Sequence, residues 1–445
     1  MSIAQAVQET APPGGDSAVT RYAVFVLAVL VMVYGFNFMD RYIFVILMED
    51  IKRDLSLSDT QLGLISGFAF STVYSVAGLA VARWADHGNR RSIIAMALAC
   101  WSVLTVACGL TRNFLQLVIA RMGVGVSESA CSPPACSLLA DVYPPQRRAM
   151  AYAVYTAGLY VGLGLGFGLG GWLGEHYGWR AAFLWAGAPG LLLAVVVRFT
   201  IREPERGASD STGVDIASYT VREAVAYMLA RPSFIAYMLG SALFTFAGTA
   251  IDSWAPLFLV RVRHVATGDV GLWTGALGAT AGLTGAVASG WLADRLAAVR
   301  DLRWNLWVAT GGIAIVAPGT LLFLFGAPRA WPLFYFVTVF FNSFYMPPTI
   351  AITQKVMPVR MRALASAVML LGYNFIGTAG CSFVVGVLSD LWAGSLREQS
   401  VAYALATTQL AALAGAACTV YAIVRMPSDF AEQFPGRARR RSYSS

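Results

Sequence analysis

Ala82-Arg83-Trp84-Ala85-Asp86 closes one long apolar run of this chain, and Gly290-Trp291-Leu292-Ala293-Asp294 closes another at an offset of 208 (294 − 86). Two further echoes keep nearly the same offset. Tyr143-Pro144-x-x-x-Arg148-Ala149 returns loosely as Met357-Pro358-x-x-x-Arg362-Ala363, at 214 (362 − 148), and Asp40 is followed by Asp252 at 212 (252 − 40). Three similar offsets describe two like halves in parallel repeat, related by an axis along a membrane normal.

The repeated segments read as membrane spans. Of 445 residues, 57% are hydrophobic and 13% charged, against roughly 25% charged in a soluble domain. No soluble core absorbs that much apolar chain. The runs lie at 22–47, 60–84, 92–111, 114–140, 149–174 and 181–199, then 233–260, 269–293, 304–326, 331–354, 364–390 and 400–425. Each is long enough to cross about 30 Å of hydrocarbon as a helix. The expected fold is an all-α membrane protein of twelve transmembrane helices in two pseudo-symmetric six-helix bundles, 22–199 and 233–426. A disordered tail (1–21) precedes them and a basic tail (427–445) follows. A polar linker (200–232) joins them, with a short helix expected near Val221–Ala230.

Orientation follows from the basic residues. Of 32 Lys and Arg, Arg41 and Arg121 are placed deep inside the membrane, and eight lie in the odd loops: Lys52, Arg53, Arg112, Arg180, Arg261, Arg263, Arg329 and Arg397. The other 22 lie in the even loops and tails or at the span ends that meet them, so both termini and the linker are expected in the cytoplasm. The N-terminal stretch has no basic residue before Arg21 and no apolar run, so it is no signal peptide. The tail arginines Arg437, Arg439, Arg440 and Arg441 meet anionic headgroups or are simply solvated. The net charge of +8 is spread over short loops, which excludes a nucleic-acid face. Six cysteines lie in spans with no C-x-x-C pair, three histidines lie in loops, and no Gly-rich loop follows a strand. Neither metal nor cofactor is expected.

Four ionisable residues sit inside the first-half spans away from their ends: Asp40, Arg41, Arg121 and Glu128. A charge at the bilayer centre costs roughly 2.5–3.5 kcal/mol on insertion scales, so an intramembrane charge points first to function. Counting about 1.5 Å per residue, Asp40 and Arg121 lie at similar depth, about 10 Å below one surface, and can pair. Glu128 follows two turns deeper on Arg121's face. Adjacent helical residues diverge by about 100°, so Arg41 cannot share Asp40's partner; locking helices and contacting substrate are both open to it. Asp252 lies close to its helix end and is expected to act there as a terminal polar residue. Asn342, Tyr345, Tyr373 and Asn374, near the Pro347-Pro348 break, are the candidates for the opposite cavity wall.

These features resemble the major facilitator superfamily. Asp86-His87-Gly88-Asn89-Arg90-Arg91 is similar to its loop signature, with Ala82 where the pattern usually has Gly; the resemblance implies a cytoplasmic gate at Asp86, Arg90 and Arg91. Gly158, Gly162, Gly164, Gly166, Gly168, Gly170 and Gly171 resemble its antiporter motif, although Phe167 replaces the proline. Close helix packing through small residues is the plainer reading of them. A narrower resemblance, to the Spinster family, covers roughly residues 36–208. It rests on Asn37-x-Met39-Asp40-Arg41, on Arg121-x-x-Val124-Gly125-Val126-x-Glu128, on Leu139-Ala140-Asp141 and on Arg202-Glu203-Pro204-x-Arg206-Gly207.

The resemblance implies a proton-coupled secondary transporter of lysophospholipid or sphingosine-1-phosphate type, in a bacterial-type inner membrane, working as a monomer. Its expected partners are a small amphipathic substrate, protons and the lipid bilayer, with Arg121 receiving the anionic head. Glu128, the acid farther from Arg121, is expected to exchange the proton. Three other functions stay open: transport of drugs or organic anions, a membrane-embedded lipid enzyme, and a lipid sensor. The enzyme lacks an intramembrane histidine to serve as base.

Overall fold

A computed structural model describes residues 20–204, 221–358 and 361–430. Most of both expected tails, the middle of the 200–232 linker and the C-terminal arginines lie outside those residues. Every regular element among the described residues is helical, as a chain with no water for its backbone groups requires.

Helix α1 (Arg21–Ile46) starts at Thr20, whose side chain accepts from Ala23 N–H, and α2 (Met48–Leu55) follows after Leu47. The next span begins with α3 (Asp59–Gly63), fixed by a Ser58/Gln61 capping box. It passes through a π-helical stretch, Leu64–Ala69, into α4 (Phe70–His87). Asn89 and Asn113 cap α5 (Arg90–Gly109) and α6 (Phe114–Glu128). After a break at Ser129–Cys131, α7 (Ser132–Val142) resumes with Pro133 and Pro134 in its first turn, where no N–H partner is lost.

Helix α8 (Pro145–Thr200) holds 56 residues, roughly 84 Å if straight. That is two crossings, and the chain turns between them at Gly178, whose φ of 81° suits glycine. The short helix expected within the linker is present as α9 (Val221–Leu229).

The second half repeats this order: α10 (Pro232–Arg261), α11 (Thr267–Val299), α12 (Trp304–Phe325), α13 (Trp331–Asn342), α14 (Met346–Val356), α15 (Arg362–Gly372), α16 (Cys381–Leu396) and α17 (Ser400–Asp429). A second π-helical stretch, Tyr373–Gly380, links α15 to α16. Among the described residues, nine runs are long and apolar enough to span a bilayer. Two of them, Pro145–Thr200 and Leu364–Asp429, are double-length. With the broken α13–α14 span, they accommodate twelve crossings. The repeat is close. The α13–α14 break at 343–345 and its Pro347-Pro348 answer the α6–α7 break and Pro133-Pro134 at the same offset that relates Arg148 to Arg362.

The glycines of α8 act as the packing reading requires. A Cβ at Gly162 would lie 2.3 Å from Gly35 O of α1, and one at Gly171 would lie 2.7 Å from Thr267 O of α11. One helix thus seats α1 on one face and the second half on another through backbone-close contact.

Candidate functional site

Asp40, Arg41, Arg121 and Glu128 converge inside the first half, but their pairing differs from the expected column. Glu128, fully buried at the end of α6, accepts from Arg41 Nε at 2.8 Å. Asn37, one turn before Arg41 on α1, takes its Nη2 at 3.3 Å. Asp40 faces α5 instead, accepting from Thr105 Oγ1 at 3.0 Å. The divergence of neighbouring residues around α1 therefore sends Asp40 and Arg41 to different helices. Arg41 locks helices and borders the cavity at once.

Aromatic rings surround both guanidinium groups. The Arg41 guanidinium carbon lies 4.8, 4.9 and 4.7 Å from the ring centroids of Phe38, Phe70 and Tyr74. That of Arg121 lies 4.8 Å from Phe44 and 4.9 Å from Phe70. Such contacts contribute about 0.5–2 kcal/mol each, more where water is excluded. Arg121 is only 2% exposed, yet its Nε and Nη1 have no hydrogen-bond partner among the described residues. Asp40 Oδ1 and Glu128 Oε1 are likewise unpartnered there. The predicted Asp40–Arg121 pair is thus absent among the described residues, because Thr105 and Arg41 engage the two acids first.

A cavity between the halves is lined by Arg41, Arg121, Ser71 and Tyr74 from the first half and by Asp252 and Asn374 from the second. Asp252, expected to serve only as a helix-end polar residue, stands in this wall. Its carboxylate accepts from Asn342 Nδ2 at 3.4 Å. Asn342 is the repeat counterpart of Glu128, at the offset that relates Arg148 to Arg362. The second half therefore joins Asp252, the counterpart of Asp40, to the counterpart of Glu128, with no arginine between them among the described residues. Tyr345 and Tyr373 pack edge to face at 5.9 Å, and Tyr373 shares its hydroxyl with Thr349 at 2.9 Å. Of the four second-half candidates, Asn374 borders the cavity directly. The two π-helical stretches face one another here: a Cβ at Gly67 would meet Ser382 Cβ at 2.5 Å and Thr378 O at 3.1 Å. Such insertions recur at functional sites.

At the end farthest from the linker, a buried ion cluster joins the halves. Arg261, closing α10, donates to Glu49 of α2 at 2.7 and 2.9 Å and to Asp59 of α3 at 2.7 and 2.8 Å. Lys52 and Ser389 also reach Asp59, at 2.5 and 2.6 Å. Asp390 of α16 accepts from the N–H groups of Asp59 and Thr60 at 3.0 and 2.7 Å, an anion on a helix N-terminus. Sequence reasoning missed this cluster, since its members sit at span ends in separate halves and read there as ordinary loop charges.

At the linker end, Arg90 is buried and stays within the first half. It contacts Asp141, Glu203 at 2.7 Å and Ser137 Oγ at 3.0 Å. Glu203 also accepts from Arg91 N–H at 2.9 Å. Burial pushes the Glu203 carboxyl up, but the Arg91 N–H and the Arg90 guanidinium outweigh it and hold it below the usual range. Asp86 lies within α4, and its side chain is outside the described set. Among the described residues, the ion pairs that bridge the halves are those of Arg261 at the far end.

The sequence matches the Major Facilitator Superfamily over residues 30–381. The chain belongs to that superfamily. It is 34% identical over 435 residues to an MFS-type efflux pump of Mycolicibacterium smegmatis, covering 97% of this chain and 100% of that protein. It is 27% identical to protein spinster homolog 1 of Bos taurus, over 83% of this chain and 73% of that one. The fold superposes with a TM-score of 0.85, at 26% identity, on a bacterial homologue of the human lysosomal transporter Spinster, in an inward-facing and unoccupied conformation. That alignment covers 93% of this chain and 99% of the other. The protein is a Spinster-like, multi-pass membrane transporter of the superfamily and not an enzyme.

Proposed function

We propose that this transporter moves an amphipathic substrate with an anionic head, of the lysophospholipid or sphingosine-1-phosphate type, coupled to protons across a bacterial inner membrane. The observation that carries the reading is Arg121: a buried cation on the cavity wall with two nitrogens free of any partner among the described residues. A phosphate or carboxylate there receives charge-assisted bonds in a water-poor setting, where they are strong. The flanking Phe44 and Phe70 rings give the adjoining chain an apolar surface.

Charge balance supplies the coupling. With all four groups ionised, Asp40, Arg41, Arg121 and Glu128 sum to zero. An anionic head adds a negative charge, and one proton on either acid restores neutrality. Protonation of Glu128 also removes the charge that holds Arg41, weakening their contact and making a second guanidinium available beside the head. This keeps the expected proton role of Glu128 but assigns its trigger to Arg41 instead of Arg121.

Both termini and the linker lie on the cytoplasmic side in this reading, so the Arg261 cluster shuts the opposite face while the cytoplasmic face is open. Its release, and closure at the Asp86, Arg90 and Arg91 loop, would complete the alternating-access cycle. Drug efflux is the second reading, favoured by the likeness to the efflux pump. Equilibrium binding of lysolipids, phosphosphingolipids and cationic drugs to the purified protein separates the two. Anionic amphiphiles that bind wild type but not Arg121→Ala support the first. Binding of cationic drugs alone, untouched by Arg121→Ala, supports the second.

A further inference from the structure

The acid on the second-half wall has no part in the cluster just described. Asp252 has no ion-pair partner among the described residues, and its hydrogen bond to Asn342, at 3.4 Å, is long. Its repeat counterpart Asp40 has two arginines in electrostatic range, Arg121 and Arg41. Around Asp252 stand tyrosines instead: Tyr42, Tyr160, Tyr335 and Tyr345 all lie within electrostatic range of its carboxylate. Tyr42 and Asp252 line the same cavity as Arg121.

An anion buried in a membrane protein without a counter-ion is costly. A carboxylate on the wall of a cavity that Phe38, Tyr42, Phe44, Phe70 and Tyr74 also line has the composition of an ammonium site, since the carboxylate neutralises the cation and ring faces attract it. The repeat reinforces the point. Where Glu128 accepts from Arg41, its counterpart Asn342 donates to Asp252, and the position that answers Arg41 is the uncharged Ser253, which lines the cavity beside Asp252.

We infer that Asp252 and its tyrosines form a subsite for the ammonium group of the substrate, so the preferred ligand is a zwitterionic amphiphile bridging Arg121 in one half and Asp252 in the other. The inference rests on the anionic-head reading of Arg121 and narrows it. A ligand held by both halves also gives the transporter a reason to close around substrate, because each charge alone engages only one bundle.

The test measures binding of three probes to the detergent-purified full chain: lysophosphatidylethanolamine, lysophosphatidic acid of the same acyl chain, and dodecylamine. Wild type should prefer the zwitterion over the anion-only lipid by roughly tenfold, as expected for one charge-assisted contact. Asp252→Asn, which keeps the shape, should erase that preference and the binding of dodecylamine while retaining lysophosphatidic acid. Asp252→Glu should restore part of the preference. Arg121→Ala should lose both lipids and keep the amine. A zwitterion preference unchanged by Asp252→Asn overturns the subsite. If neither lipid binds wild type, the anionic-head reading fails by itself. The amine then decides the subsite: binding lost in Asp252→Asn upholds it, while absent or unaltered binding refutes it.

Discussion

Arg41 Nε lies 2.8 Å from Glu128 Oε2, and this contact ties α1 to α6 beside the cavity. The carboxylate is fully buried while the Arg41 side chain is 23% exposed, so the pair can be reached from the cavity without being solvated by it. Glu128→Gln mimics the protonated acid. It should keep ligand binding but lose accumulation driven by a pH gradient, leaving exchange down a substrate gradient. Uptake into proteoliposomes at matched and mismatched pH checks this, and full pH-driven accumulation by the variant would remove Glu128 from the coupling.

Arg261 holds the far end shut through two acids of the other half. Arg261→Ala leaves Glu49 and Asp59 buried side by side without their shared cation. Breaking a buried pair costs about 3–5 kcal/mol, enough to shift a two-state equilibrium by about two to four decades. Spin-label distances across the far end, between α2 and α16, should lengthen. Unchanged distances would show that helix packing alone closes that face.

The close approach of α8 to α1 predicts a packing cost. Any side chain at Gly162 meets Gly35 O and Phe38 Cβ, at 2.3 and 2.9 Å. Since backbone atoms cannot yield as a flexible side-chain tip does, Gly162→Ala should lower stability by about 1–3 kcal/mol. Thermal unfolding in detergent reads it. Gly168, with nothing within 4 Å of its would-be Cβ, is the control and should tolerate alanine.

Topology is open to direct assay. The 22-to-8 imbalance of basic residues expects both termini and the linker inside. Reporter fusions at Arg206 and at the C-terminus should both read as cytoplasmic, and an external signal from either would invert the membrane orientation.

Much of the fold was legible because hydrocarbon imposes simple rules. Apolar runs long enough to cross a bilayer, and the recurrence of the Ala82–Asp86 segment at Gly290–Asp294, give spans and a parallel repeat without tertiary information. The charges Asp40, Arg41, Arg121 and Glu128 announce themselves, since few pressures other than function keep such residues in a membrane. Their partners did not. Depth along a helix is readable from its constant rise per residue. Which neighbour a side chain meets depends instead on rotation about the helix and on the packing of α5 and α6. Thr105, a residue with no charge to attract notice, therefore intercepts Asp40. Asp252 reads as a helix end because Trp254 and Pro256 follow it, although α10 continues to Arg261 and carries the carboxylate into the cavity wall. The Arg261 cluster joins residues 202 and 212 positions apart, and no local pattern announces a contact between span ends in different halves.

The central claim is that Arg121 captures an anionic head during coupled transport. It is tested most directly by uptake of a lysophospholipid into proteoliposomes under an imposed pH gradient, comparing wild type with Arg121→Ala and Arg121→Lys at equal reconstituted protein. The account predicts uptake by wild type, none by Arg121→Ala, and little recovery in Arg121→Lys, whose point charge cannot reproduce the planar fork of donors. Wild-type rates of uptake in Arg121→Ala would contradict it.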